Sequence, residues 1–180
     1  MYRQPTSKAT KSKATRSKAT RSSNLLRTGV ACLAALCLYA CDASRVYEQY
    51  SAIPNKGWHK DSSAVFDVPI SDSSTLNNLY INLRNTSSYP FSNIYLFIKV
   101  TAPSGVFTRD TVEYILVDQY GRWNGKGFSK MLDNRLAYRK FVRFPQSGIY
   151  RFEVQQGMRM DVLPHITDIG LRIEKIEALD

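Results

Sequence analysis

Asn93-Ile-Tyr-Leu-Phe-Ile-Lys-Val100 is the stretch that decides the fold. In an extended chain successive side chains point to opposite faces. Ile94, Leu96, Ile98 and Val100 then share one face, with Tyr95, Phe97 and Lys99 on the other. β-Branched and aromatic residues without Gly or Pro make this a strand. The same period of two recurs outward from it. Phe66, Val68 and Ile70 alternate with Asp67 and Pro69, and Leu79, Ile81 and Leu83 with Tyr80, Asn82 and Arg84. Val112, Tyr114 and Leu116 follow, then Tyr138 to Phe144, Tyr150 to Val154, and Ile169 to Ile173. The segments at 94–100 and 112–117 are apolar on both faces, which predicts central strands.

Turn formers separate these runs: Ser71 to Ser74, Ser87 to Pro90, Pro103-Ser-Gly105, Gly121 to Gly127 and Gln146-Ser-Gly148. The pattern predicts an all-β fold, an antiparallel β-sandwich of about seven strands, immunoglobulin-like or jelly-roll-like, with little helix. One short helical turn is expected over 129–135. In Ser147-Gly-Ile-Tyr-Arg-Phe152, Tyr150 stands two residues before a core position at a strand start. That is the arrangement of a tyrosine corner, in which the hydroxyl bonds back to the turn. A plain inward-facing tyrosine is the alternative.

The segment before the strands has a different chemistry. Eight of the 25 cations precede Cys41 and no acid does, which leaves 17 cations against 15 acids in the body. The formal charge of +10 is therefore carried mostly by a leader. A body so nearly neutral is a poor match for binding nucleic acid through counterion release. The leader repeats Ser-Lys-Ala-Thr-Lys/Arg from Ser7 to Arg21, a low-complexity pattern that fits no helix or strand period. The apolar run Val30 to Ala40 follows. Cations, a short apolar run and a small residue at a cut site form the layout of an export signal. Leu38-Tyr-Ala-Cys41 adds a lipobox pattern, predicting cleavage after Ala40 and acylation of Cys41. Cys32 and Cys37 leave with the signal, so the body holds no thiol for a disulfide, a redox pair or a metal site. The expected organisation is a signal peptide with a basic n-region at 1–40, a lipidated tether at 41–57 and a single sandwich domain at 58–180.

A search for chemistry returns little. His59 and His165 are far apart and neither has a second ligand at metal spacing. No serine stands in Gly-x-Ser-x-Gly. The loop Gly121-Arg-Trp-Asn-Gly-Lys-Gly127 lacks the spacing and the hydroxyl of a phosphate loop. No enzyme activity, cofactor, metal or small-molecule substrate is expected. Trp58, Arg122 and Trp123 are the partner-contact candidates, since Trp and Arg dominate binding hot spots. Two other readings have their own requirements. A glycan-binding module needs Trp58, Trp123 and Tyr120 along one groove, and an enzyme needs a cleft with paired acids.

An ordered set of motifs resembles the gliding-motility lipoprotein GldH family of Bacteroidota. It comprises Trp58-His-Lys-Asp61, Asn82-Leu-Arg-Asn85, Ser88-Tyr-Pro-Phe91, Asn93-Ile-Tyr-Leu96, Asp110-Thr111, Gly121 to Gly127, Gly148-Ile-Tyr150, Gln156-Gly-Met-Arg159 and Asp168-Ile-Gly-Leu171. The resemblance implies a non-catalytic envelope lipoprotein needed for gliding motility and tied to the type IX secretion machinery. It implies lipid contact through Cys41, other envelope proteins as partners, and no catalytic residues. Ser44-Arg45 after Asp42 is not an acid cluster, so a periplasm-facing membrane lipoprotein is expected.

Overall fold

The computed structural model of the chain describes residues 42–176. The leader, the cleavage after Ala40 and the lipid site Cys41 lie outside the described residues. Ten strands follow in order: β1 (Arg45–Ala52), β2 (Trp58–His59), β3 (Ser63–Ile70), β4 (Asn77–Thr86), β5 (Asn93–Thr101), β6 (Phe107–Ile115), β7 (Met131–Val142), β8 (Gly148–Gln156), β9 (Val162–Leu163) and β10 (Ile166–Lys175). All pairings are antiparallel. One sheet runs β1-β10-β4-β7, the other β3-β8-β5-β6, and β2 pairs with β9 alone. With the two short strands set aside, the eight long ones have sheet orders 1-8-3-6 and 2-7-4-5. That is the double-sheet jelly roll of two Greek keys, which settles the choice between the two predicted sandwiches.

The core lies where alternating faces meet. Phe66, Ile94, Leu96, Ile98, Phe152 and Val154 come from one sheet, and Ile81, Leu83, Ile169, Leu171 and Ile173 from the other; each is buried. Burying such a side chain stabilises the fold by about 1.5–3 kcal/mol before chain entropy is counted. Phe66 stands opposite Phe152, and Leu83 opposite Ile169. A one-residue slip would turn these pairs to water, so the period of two sets the register.

Three local expectations are corrected. The tether predicted over 41–57 contains β1, an edge strand laddered to β10 from Arg45 to Ala52. Its half-buried tyrosines lie among charged residues, so the alternation is masked. The helical turn predicted over 129–135 is instead the start of β7, where Met131 pairs with Thr86. β6 is an edge strand and not a central one. Its Asp110 points inward and accepts from the Tyr138 hydroxyl and the Arg139 guanidinium, both at 2.5 Å. An inward charge on an edge strand discourages pairing with another chain.

The tyrosine corner is present. Tyr150 donates its hydroxyl to the Gln146 carbonyl at 3.0 Å, and its ring meets Phe144 edge-on at 4.8 Å between centroids. Tyr150→Phe keeps the ring and removes the bond from a part-buried acceptor. The expected loss is about 1 kcal/mol of stability, read as a lower urea midpoint with an unchanged slope. An unchanged midpoint would show that the bond contributes nothing net.

Candidate functional site

The connections of a jelly roll collect at its two ends. One end holds the loops at 87–92, 116–130 and 157–161. β6 runs into buried Leu116, and the chain then turns back so that Val117 bridges Trp123. Asp118 organises the turn. Its Oδ1 accepts from the backbone N–H of Tyr120 at 2.8 Å and of Arg122 at 2.9 Å, and its Oδ2 from Arg122 Nε at 2.8 Å. The Arg122 backbone donor leads in holding this carboxyl below its ordinary value, with Tyr120 N–H and the Arg122 side chain adding to it. Gly121 takes φ +78°, which an L side chain rarely adopts.

The loop continues directly over β7, where Lys126 and Asp133 exchange backbone bonds of 2.9 and 2.7 Å. A Cβ on Gly127 would stand 1.9 Å from the Met131 carbonyl oxygen, so only glycine passes there. Of the glycines that suggest a phosphate loop, Gly121 is thus required by the turn's positive φ, and Gly125 and Gly127 by packing against Asn134 and Met131. Held this way, Tyr120 is 73% and Phe128 92% exposed. The Arg122 guanidinium lies 5.1 Å from the Tyr120 ring centre.

Trp123 is half-buried. Its ring lies 6.5 Å from Tyr89, which in turn meets Phe91 edge-on at 5.7 Å. Tyr89 donates to the Asn93 carbonyl at 3.1 Å, and burial pushes its hydroxyl pKa well above the usual value. Phe91, Tyr95, Met158 and Met160 border an adjoining cleft of about 470 Å³. Thioether side chains adapt to irregular partners. Aromatics, Met and Arg are the types enriched where proteins bind each other.

The sequence candidates divide accordingly. Arg122 is exposed on the Asp118 loop, and Trp123 is half-buried against Tyr89. Trp58 is removed from the contact set: it is 1% exposed, pairs with Leu163, and donates Nε1–H to the Ser62 carbonyl at 2.9 Å. Its partner is 105 positions away, so neighbouring His59, Lys60 and Asp61 gave it a falsely exposed context. In the linear sequence Tyr120 fits only a glycan platform, and Phe128, Met158 and Met160 carry no local signal of a contact role. Their positions depend on loops that converge only in the folded chain. Residues 88–91, 121–127 and 156–159, three of the motifs behind the resemblance, meet at this end.

Asp118→Ala should loosen this turn without unfolding the sandwich. Three hydrogen bonds end on that carboxylate. The expected cost to global stability is under about 1 kcal/mol, as for an exposed site. Amide exchange at 119–122 should rise at least tenfold while exchange in β5 stays unchanged; equal protection in the variant would contradict the role given to Asp118.

The other sites are closed by pairing. Asp67 takes Arg151 Nε at 2.7 Å and Nη2 at 2.9 Å. His59 Nδ1 accepts from Asp61 N–H at 3.2 Å, and His165 lies 3.2 Å from the Thr86 hydroxyl. Among the described residues, no three of His, Cys, Asp and Glu converge as a metal set. On the outer face of the β1-β10-β4-β7 sheet, guanidinium groups cover the rings of Tyr50 and Tyr80, at 4.2 and 4.4 Å from their centres.

Fold and surface together define an antiparallel jelly-roll domain with exposed aromatic side chains and a methionine-lined cleft at one end. A family model described as GldH lipoprotein matches residues 45–173. Gliding motility lipoprotein GldH of Flavobacterium johnsoniae is 37% identical over 155 residues, covering 82% of this chain and 96% of that protein. Gliding motility lipoprotein GldH homolog of Christiangramia forsetii is 38% identical over 143 residues, covering 76% of this chain and 87% of its own. The chain belongs to the GldH lipoprotein family, and with it to the membrane-anchored lipoproteins of the cell envelope. Among solved structures, the VP2 subviral particle of infectious bursal disease virus aligns over 76% of this chain and 34% of its own. Its identity of 11% and TM-score of 0.32 carry no argument.

Proposed function

We propose that this protein is a non-catalytic component or assembly factor of the gliding motility and type IX secretion machinery. In this reading the chain is cleaved after Ala40, acylated on Cys41 and held facing the periplasm. The observation that carries it is the end built by the Asp118 turn. Tyr120 and Arg122 stand exposed on backbone held by hydrogen bonds to Asp118, and Phe128 is exposed further along the same loop, beside the methionine-lined cleft. A rigid exposed surface of this composition suits other envelope proteins, since little is lost in ordering it on binding. Pairing of Asp67, Asp110 and Asp118 with arginines supports a binding role over acid–base work. Burial of Trp58 and the covered rings of Tyr50 and Tyr80 argue against a sugar-stacking groove.

The test is complementation in a gliding relative from which its own family member has been deleted. The wild-type chain should restore spreading. Tyr120→Ala with Arg122→Ala should not, although the variant reaches the membrane at wild-type amount. Full spreading by that double variant would refute the assigned contact end.

A further inference from the structure

The tether is shorter than its sequence suggests. Lys175 N–H donates to the Ser44 carbonyl at 2.8 Å, so the sheet already holds Ser44. Only Asp42 and Ala43 separate it from Cys41. Three Cα steps reach about 11 Å at most. This inference rests on the proposed acylation of Cys41, which puts the bilayer surface within that reach of β1's first residues.

The end of the jelly roll where β1 begins differs from the end just described. Arg45 pairs with Glu174, Glu174 with Asn78, and Asn77 with Val142, so this edge runs across the whole sheet. The turns at 71–76, 102–106 and 143–147 complete it. Val106 is 68% exposed, Phe107 58%, Phe141 68% and Ile149 62%. Phe141 sits at a bulge with φ +57°, a conformation disfavoured for an aromatic residue, and its N–H donates to Asn78 Oδ1 at 3.2 Å. The backbone is thus held so as to turn that ring into solvent. Exposed Arg45, Lys140, Arg143 and Lys175 lie at the same end of the sandwich. Apolar and aromatic groups flanked by cations fit the boundary of an anionic bilayer.

We infer that this end of the jelly roll rests on the lipid surface. Phe107, Phe141 and Ile149 enter the interfacial layer, and Lys140, Arg143 and Lys175 meet anionic headgroups. The ten residues of β4 then lift the Asp118 turn about 30 Å from the membrane, free for a protein partner.

The body lacks cysteine, so two matched labels report the orientation. Ser104→Cys lies in the turn at the membrane end and Ser88→Cys in a loop at the other. Each full-length lipoprotein, purified from membranes and labelled with a fluorophore, is placed in phosphatidylcholine–phosphatidylglycerol vesicles containing a headgroup-region nitroxide lipid. The expected result is at least twofold quenching at position 104 and none at 88. Absence of quenching at both positions, with the protein still on the vesicles, would overturn the docking while leaving the anchor intact. Quenching at 88 alone would reverse the orientation and overturn it. A chain that carries no acyl group and floats free of vesicles overturns both the docking and the anchor.

Discussion

Replacing Cys41 by alanine is expected to abolish acylation and to strip the protein from the membrane. The thiol is the only nucleophile in Leu38-Tyr-Ala-Cys41 able to take the diacylglyceryl group, and alanine supplies none. A single acyl chain binds a bilayer only marginally, whereas two or more hold a protein stably. The 11-residue run Val30 to Ala40 that would remain uncleaved is too short to span a bilayer of about 30 Å as a helix. Labelled palmitate should therefore be incorporated into the wild type and not into Cys41→Ala. The variant should run heavier by its retained leader and leave the membrane in an alkaline wash. Label persisting in the variant would place the lipid elsewhere.

The second large effect concerns the outer face of the β1-β10-β4-β7 sheet. Arg172 is 8% exposed, although it points away from the core. Its Nη1 bonds Glu48 at 2.6 Å, and its Nε and Nη2 bond Glu174 at 2.8 and 2.6 Å. Arg135 also pairs with Glu174. Asn82 and Tyr50 extend the network, with Asn82 Nδ2 donating to Tyr50 at 2.9 Å. The three strands β1, β10 and β4 are thus tied by polar groups that shield each other from water. Arg172→Met keeps most of the side-chain volume and leaves two shielded carboxylates side by side. Removing one partner of a buried pair costs about 3–5 kcal/mol, and the partial exposure of both glutamates argues for the lower figure. Against a total stability of about 5–15 kcal/mol, this is a large fraction.

The pH dependence separates this mechanism from lost packing. Burial pushes the Glu174 carboxyl up, but hydrogen bonds from Arg172 and Arg135 outweigh it and hold it below its usual value. A carboxyl lowered in the folded state contributes stability that is present above its unfolded value, about 4.3. That contribution is lost as pH falls through the folded value. The gap between wild type and Arg172→Met should therefore narrow as pH falls below about 4. Urea midpoints at pH 7 and pH 3.5 measure it. A gap of equal size at both would assign the loss to packing alone.

Much of this fold was legible because period-two alternation reports burial directly. The strands around Ile94, Ile81, Phe152 and Leu171 all stand where their alternation put them. β1 was not legible. Its inward positions are Tyr47, Gln49 and Ser51, none of them aliphatic, while Glu48 and Tyr50 face outward with the Arg172 network, so the strand carries a weak apolar signal. The same omission lengthened the apparent tether and left the sandwich one long strand short of a jelly roll. Trp58 failed for a related reason, since burial by a distant strand leaves no local trace. At the end bearing the Asp118 turn the Gly121 to Gly127 loop was visible as a segment. Its neighbours Phe91, Met158 and Met160 are brought to it only by chain topology, which a linear reading does not contain.

The central claim is that the end bearing the Asp118 turn binds envelope proteins of the motility and secretion machinery. A photocrosslinking residue placed at Tyr120 in the native lipoprotein, activated in living cells and followed by mass spectrometry of the adducts, tests it most directly. The predicted result is a discrete crosslink from position 120 to a component of that machinery, with none from position 104 at the membrane end. No adduct from position 120, or the same protein adduct from both positions, would contradict it.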